Sequence, residues 1–103
     1  MGNEAKVYEV VVSDDATHML GKHVRFLANV NVPAARRLRV TLYDAFVSLK
    51  KMPHRCPVFH TRRTDETYRH LIIGRYQIIF SIDEEADIVN IEYILDSRQE
   101  SDF

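Results

Sequence analysis

An α+β fold is predicted: an N-terminal strand, an antiparallel helical hairpin, and a three-stranded antiparallel meander packed on that hairpin. Three observations predict it. The stretch from Tyr68 to Arg98 alternates in β-branched and aromatic residues with a period of two, the pattern of strands with one buried face. Two earlier segments carry apolar residues every three to four positions, the helical period. Gly74-Arg75 sits between two strand-like runs, and glycine at the first central position suits a two-residue hairpin turn.

Taken in order, residues 1–6 are polar, and the ordered core is expected over about 7–98. Val7 to Val12 is the first strand, with Tyr8, Val10 and Val12 on one face. Ser13 is a helix N-cap, followed by Asp14 and Asp15 where the helix dipole favours acids. Ala16, Leu20, Val24 and Leu27 form a stripe, flanked by Met19, His23, Phe26 and Val30, on a helix from Asp14 to Asn29. Asn31 caps a second helix, and Pro33 fits its first turn. Ala35, Leu38, Leu42, Ala45 or Phe46, Leu49 and Met52 give that helix about 18 residues, with Lys50 and Lys51 at its C-terminal end and Pro53 preventing continuation. The short link makes the two helices an antiparallel hairpin.

Residues 53–67 form a loop in which Val58 and Phe59 either anchor to the core or make a short edge strand. In the meander, Tyr76, Ile78, Phe80 and Ile82 share one face of the middle strand. Val89, Ile91, Tyr93 and Leu95 are expected to share one face of the last. Asp83 to Asp87 is a loose, exposed, acidic connection. A two-residue turn pairs Ile73 with Tyr76, Leu71 with Ile78 and Arg69 with Phe80. Tyr68, His70 and Ile72 then lie beside Gln77, Ile79 and Ser81 on the face away from the helices. A turn longer by one residue would put Arg69 there in place of His70.

Composition bounds the function. The 103 residues make a single domain, and one cysteine, Cys56, permits neither an internal disulfide nor a four-cysteine zinc site. No signal pattern or membrane-length apolar run is present, so a cytoplasmic protein is expected. The five histidines lack metal-ligand spacing, no nucleophile motif surrounds Cys56, and the three glycines form no phosphate loop; neither metal nor cofactor is expected. The net charge of −1 conceals an asymmetry. Residues 36–75 hold ten Lys or Arg against three acids, and the remainder holds four against twelve. A basic middle points to a polyanion or an acidic partner. On the open sheet face, His70 with an arginine supplies the proton acceptor and cation that metal-free RNA cleavage needs.

The ordered set resembles the RelE/ParE superfamily of bacterial toxins across about residues 7–100. The resemblance is carried by Ala16 and Leu20, an Ala-Ala-rich second helix ending Leu49-Lys50-Lys51-Met52-Pro53, and Tyr68-Arg69. It continues through the Gly-containing turn, the strand from Tyr76 to Phe80, and the closing Ile94-Leu95-Asp96-Ser97-Arg98. It implies a toxin of a type II toxin–antitoxin module, bound and neutralised by a cognate antitoxin in a hetero-oligomer.

Two activities are implied by the superfamily. ParE-like members poison DNA gyrase; RelE-like members enter the ribosome and cleave mRNA. Gln77 stands where the RelE-like pattern has an arginine. Arg69 and His70 replace its paired lysines, and the chain ends at Phe103, short of its C-terminal tyrosine and helix. These departures favour a ParE-like gyrase inhibitor. The alternatives are an mRNA endonuclease using Arg69, His70 and Arg98, and an inactive member that only binds antitoxin. Contact with target or antitoxin is expected from Arg36, Arg37, Arg39, Arg62, Arg63 and Arg98, with the tail to Glu100 at the target.

Overall fold

The structure, a computed structural model, describes residues 6–62 and 65–98. Strand β1 (Glu9–Val12) leads into α1 (Asp14–Ala28) and α2 (Val32–Ser48). A 3-10 turn (Pro53–Arg55) and a two-residue strand β2 (Val58–Phe59) follow, and then the meander β3 (Tyr68–Ile73), β4 (Tyr76–Asp83) and β5 (Ile88–Asp96). The five strands form one sheet in the order β1-β5-β4-β3-β2, and the helical hairpin covers one of its faces. Arg63 and Glu100 lie outside the described residues.

The helix starts follow from their caps. Ser13 Oγ accepts the Ala16 N–H at 3.0 Å, and Asn31 Oδ1 accepts the Ala34 N–H at 2.9 Å. Helix α2 ends at Ser48, earlier than the Leu49–Met52 periodicity suggests, because Arg55 folds back over its last turn. Arg55 Nη1 donates to the carbonyls of Lys51 (3.0 Å), Met52 (3.2 Å) and Ser48 (3.4 Å). The Ser48 and Met52 carbonyls also accept the N–H groups of Lys51 (3.5 Å) and Arg55 (3.0 Å), so the guanidinium adds a second donor there and complements the negative end of the dipole. Met52 adopts φ 52°, turning the chain toward Pro53.

The Gly74-Arg75 turn has two central residues, with Gly74 at φ 60° and the pairs Ile73–Tyr76, Leu71–Ile78 and Arg69–Phe80 in register. Only Ile73–Tyr76 closure of this length places His70 opposite Ile79. The acidic connection is tighter than a loose loop. Asp83 Oδ1 accepts the N–H groups of Glu85 and Ala86, both at 3.1 Å, and Asp87 closes it at φ 57°. β1 runs parallel to β5, from Glu9 beside Ile88 to Val12 beside Ile91, and the long connection a parallel pair requires carries the helical hairpin and the other three strands.

The last strand departs from simple alternation. Ile79 pairs with Tyr93 and Phe80 with Ile91, so Glu92 has no partner on β4. This bulge inverts the faces beyond it. Val89, Ile91 and Ile94 enter the helix-side core, whereas Tyr93 and Leu95 join Tyr68 and Ile79 on the other side. The expected common face for Val89, Ile91, Tyr93 and Leu95 is therefore corrected. Ser13 grips the bulge: its N–H donates to the Ile91 carbonyl at 2.9 Å and its Oγ to the Glu92 carbonyl at 3.1 Å. One residue thus caps α1 and satisfies the disrupted ladder.

The main core joins Ala35, Leu38, Leu42, Phe46 and Leu49 of the hairpin to Ile78, Phe80, Val89 and Ile91 of the sheet. From α1, Ala16 and Val24 are buried with Leu20 and Leu27 packed against them, as the stripe requires. Phe26 and Val30, flanking that stripe, are exposed.

Candidate functional site: the open sheet face and the outer face of the second helix

The bulge and the turn together decide which side chains line the face away from the helices. β3 contributes Tyr68, His70 and Ile72; β4 contributes Gln77, Ile79 and Ser81; β5 contributes Tyr93 and Leu95. Tyr68, Ile79 and Leu95 are buried there, with Phe59 and Tyr93 packed against them. The rings of Tyr68 and Tyr93 meet edge to face at 6.2 Å, and Phe59 lies 5.1 Å from the His70 ring. His70 Nδ1 is 3.0 Å from Gln77 Oε1, the geometry of an N–H donating to an amide oxygen. Ser81 Oγ donates to Glu92 Oε2 at 3.3 Å. Burial, with the nearby Glu66 carboxylate, pushes the Tyr68 phenol up to about 12.

Arg69 is absent from that face. Adjacent strand residues point oppositely, and Arg69 pairs with core-facing Phe80. Its Nη1 donates to the carbonyls of Cys56 (2.6 Å) and His54 (3.3 Å). The structure therefore separates Arg69 from His70. It sets Arg69 instead in a cleft of about 130 Å³ lined by His54, Thr67, Ile82 and Glu84. His54 Nε2 is hydrogen-bonded to Glu84 Oε2, and the Tyr8 hydroxyl donates to Glu84 Oε1 at 3.4 Å. Sequence reasoning missed this cluster, since its members are 30 and 76 residues apart and no local pattern links them. Arg98 is exposed just past β5, and its backbone N–H donates to Asp96 Oδ1 at 3.0 Å.

The cationic belt lies on α2. Arg36, Arg37 and Arg39 are exposed, and Arg36 and Arg37 flank a groove of about 320 Å³ with Val40 and Thr41. Val32, Arg36, Val40, Tyr43 and Val47 recur at helical spacing along the outer face, and Val40 and Tyr43 are 60% and 65% exposed. A second groove, of about 170 Å³, runs between this ridge and β1, lined by Val10, Val12, Tyr43, Phe46, Val47 and Lys50. An apolar ridge beside arginines is a surface suited to an amphipathic acidic segment. Arg62 is exposed in the loop before β3, apart from α2 in sequence. Among the described residues no cluster of three His, Cys, Asp or Glu is placed to hold a metal ion. No helix among them is long and apolar enough to cross a membrane.

Comparison with known proteins places this architecture. The profile of the ParE toxin of type II toxin–antitoxin systems, parDE, matches residues 10–101. Comparison with curated proteins gives no significant match. Among solved structures, the RelBE2 toxin–antitoxin complex of Mycobacterium tuberculosis is similar at 24% identity and a TM-score of 0.62, over 87% of this chain and 91% of that one. The chromosomal ParDE system of P. aeruginosa is similar at 12% identity and a TM-score of 0.67, over 86% and 95%. The archaeal RelE–RelB complex of Pyrococcus horikoshii OT3 gives 14% identity and a TM-score of 0.58, over 90% and 98%. At these identities the solved structures share the fold, while the sequence profile extends from the middle of β1 past the end of β5. The chain belongs to the ParE toxin family of type II toxin–antitoxin systems.

Proposed function

We propose that this toxin acts in the cytoplasm by binding DNA gyrase, and that its cognate antitoxin neutralises it by covering the outer face of α2. The observation that carries the gyrase reading is the charge of the open sheet face. Arg69 is the one lysine or arginine within the described strands, and it points to the opposite side. A phosphodiester laid over His70 and Gln77 would meet no strand-borne cation to stabilise developing negative charge. A surface of Tyr93, His70 and Gln77 suits selective binding instead, and poisoning by binding requires only that one enzyme–DNA state be favoured. On α2, the ridge of Val40, Tyr43 and Val47 beside Arg36, Arg37 and Arg39 supports an acidic amphipathic antitoxin segment that orders on binding.

A second reading, mRNA cleavage on the ribosome, is favoured by the His54–Glu84 hydrogen bond beside Arg69. A carboxylate-oriented histidine next to a guanidinium supplies both proton transfer and charge stabilisation. Two parallel assays separate the readings. Purified toxin is incubated with gyrase and supercoiled plasmid, and separately with mRNA-programmed ribosomes. Accumulation of gyrase-cleaved plasmid with intact mRNA supports the gyrase reading. Cut mRNA with unaffected gyrase overturns it, and loss of those cuts in His54→Gln assigns the chemistry to the Arg69 cleft. Silence in both assays, with no growth arrest on expression, leaves a chain that only binds antitoxin.

A further inference from the structure

We propose that the ion pair between Arg75 and Asp96 positions Arg98 for contact with the toxin's cellular target. The inference rests on the reading of Arg98 as a target-contact residue. Asp96, the last residue of β5, is 1% exposed, and its Oδ2 lies 3.1 Å from Arg75 Nη2. Its other oxygen, Oδ1, accepts the Arg98 N–H at 3.0 Å. The Ser97 N–H donates to the Arg75 carbonyl at 2.8 Å. Both backbone donors that follow β5 are thus tied to one turn residue and its buried partner. These two bonds hold the backbone at Ser97 and Arg98 against the end of the sheet.

The anchor reaches into the core. The Arg75 guanidinium lies over the Tyr76 ring at 5.3 Å, and Tyr76 meets His23 of α1 at 5.4 Å. His23 Nε2 donates to the Ile94 carbonyl at 2.8 Å, two residues before Asp96. Stability alone does not account for this arrangement. Replacing a buried ion pair by apolar residues of like volume is often neutral or stabilising, and here Arg75 Nε is also buried without a hydrogen-bond partner. What the pair supplies, and an apolar pair could not, is a carboxylate held in place by Arg75, whose second oxygen makes a directional bond to the Arg98 N–H.

The test is induced expression of the full chain, read as the inducer level that half-arrests growth, beside far-UV circular dichroism and hydrogen exchange at the Arg98 amide. Arg98→Ala, Asp96→Asn, Asp96→Ala and Arg75→Gln are compared with Val24→Ala, a core variant that destabilises without touching the anchor. The expected result is a rise in half-arrest inducer of about tenfold or more for Arg98→Ala, Asp96→Ala and Arg75→Gln. Faster exchange at the Arg98 amide accompanies it in both anchor variants, and Val24→Ala stays toxic at comparable loss of thermal stability. Asp96→Asn, which keeps an acceptor for the Arg98 N–H, falls between and covers the case in which Asp96→Ala does not fold. If Arg98→Ala loses toxicity while Asp96→Asn and Arg75→Gln behave like the parent, the anchor has no positioning role and the reading of Arg98 survives. If Arg98→Ala is fully toxic, the reading of Arg98 falls and the inference falls with it. Equal loss of toxicity in Val24→Ala reduces the anchor to a stability element and overturns the proposal.

Discussion

Arg69 and His70, neighbours on β3, are held by unrelated partners on opposite faces of the sheet: Arg69 by the carbonyls of His54 and Cys56, His70 by Gln77. The two side chains should therefore fail independently. Arg69→Ala removes two charge-assisted hydrogen bonds, one of them 2.6 Å long, that tie the loop before β2 to β3. A loss of about 1–3 kcal/mol in urea unfolding is expected. His70→Ala, on a half-buried side chain with one hydrogen bond and one ring contact, should lose about 1 kcal/mol. Because the faces differ, the double variant should lose the sum, and a clear departure from additivity would show that the side chains share a site.

Arg55 predicts a different effect. Its guanidinium is exposed, yet it closes three carbonyls at the end of α2 and donates to Ser48 Oγ at 3.1 Å. Arg55→Ala should cost about 1 kcal/mol, and Arg55→Lys should recover only part, since an ammonium lacks the planar fork. Hydrogen exchange should quicken at the last turn of α2 and remain unchanged in α1. Uniform quickening across both helices would point to a global cause.

Gly74 sits at φ 60°, and nothing lies within 4 Å of where its Cβ would be, so backbone strain is isolated from crowding. Gly74→Ala should cost about 1 kcal/mol, and Gly74→Val more, because a β-branched residue resists positive φ. Gly74→Asn should be nearly neutral. A neutral Gly74→Val, measured by thermal melting, would contradict the turn geometry that puts His70 on the open face.

The extent to which this fold was readable follows from which interactions are local. The place of the turn, both N-caps and the helix-facing side of β4 were legible, because each depends on residues within a few positions. The Ile72–Gln77 and Arg69–Phe80 pairs follow once the Gly74-Arg75 turn has two central residues, the shorter of the two lengths that the sequence left open. The bulge at Glu92 was not legible, because a period-two pattern carries no mark of one extra residue, and Ser13, which stabilises it, is 79 residues away. The same distance problem hid the His54–Glu84 and Arg75–Asp96 pairs. Of the cations proposed for partner contact, Arg36, Arg37 and Arg39 were placed by the helical period, whereas Arg62 and Arg98 depend on loop paths that no periodicity encodes.

Tyr68 yields a prediction about alkaline pH. Burial first, then Glu66, raises its phenol from the ordinary value of 10.0 to about 12 in the folded state. The folded form thus holds its proton where the unfolded chain releases it. The sign follows from linkage: stability from this group is fully present below the unfolded pKa and is lost as pH rises toward the folded one. Urea midpoints should be flat in this respect below pH 10.0 and fall between there and about 12. Tyr8, raised by burial and by Glu84, and the buried Cys56 thiol, raised chiefly by burial, act in the same direction. Tyr68→Phe should therefore shrink the alkaline loss without abolishing it, while leaving the profile below pH 9 parallel to that of the parent. An alkaline limb as steep in Tyr68→Phe as in the parent would mean that the phenol is hydrated in the folded state. The tyrosine-lined centre of the open face would then be a wet surface rather than the packed platform that a binding function requires.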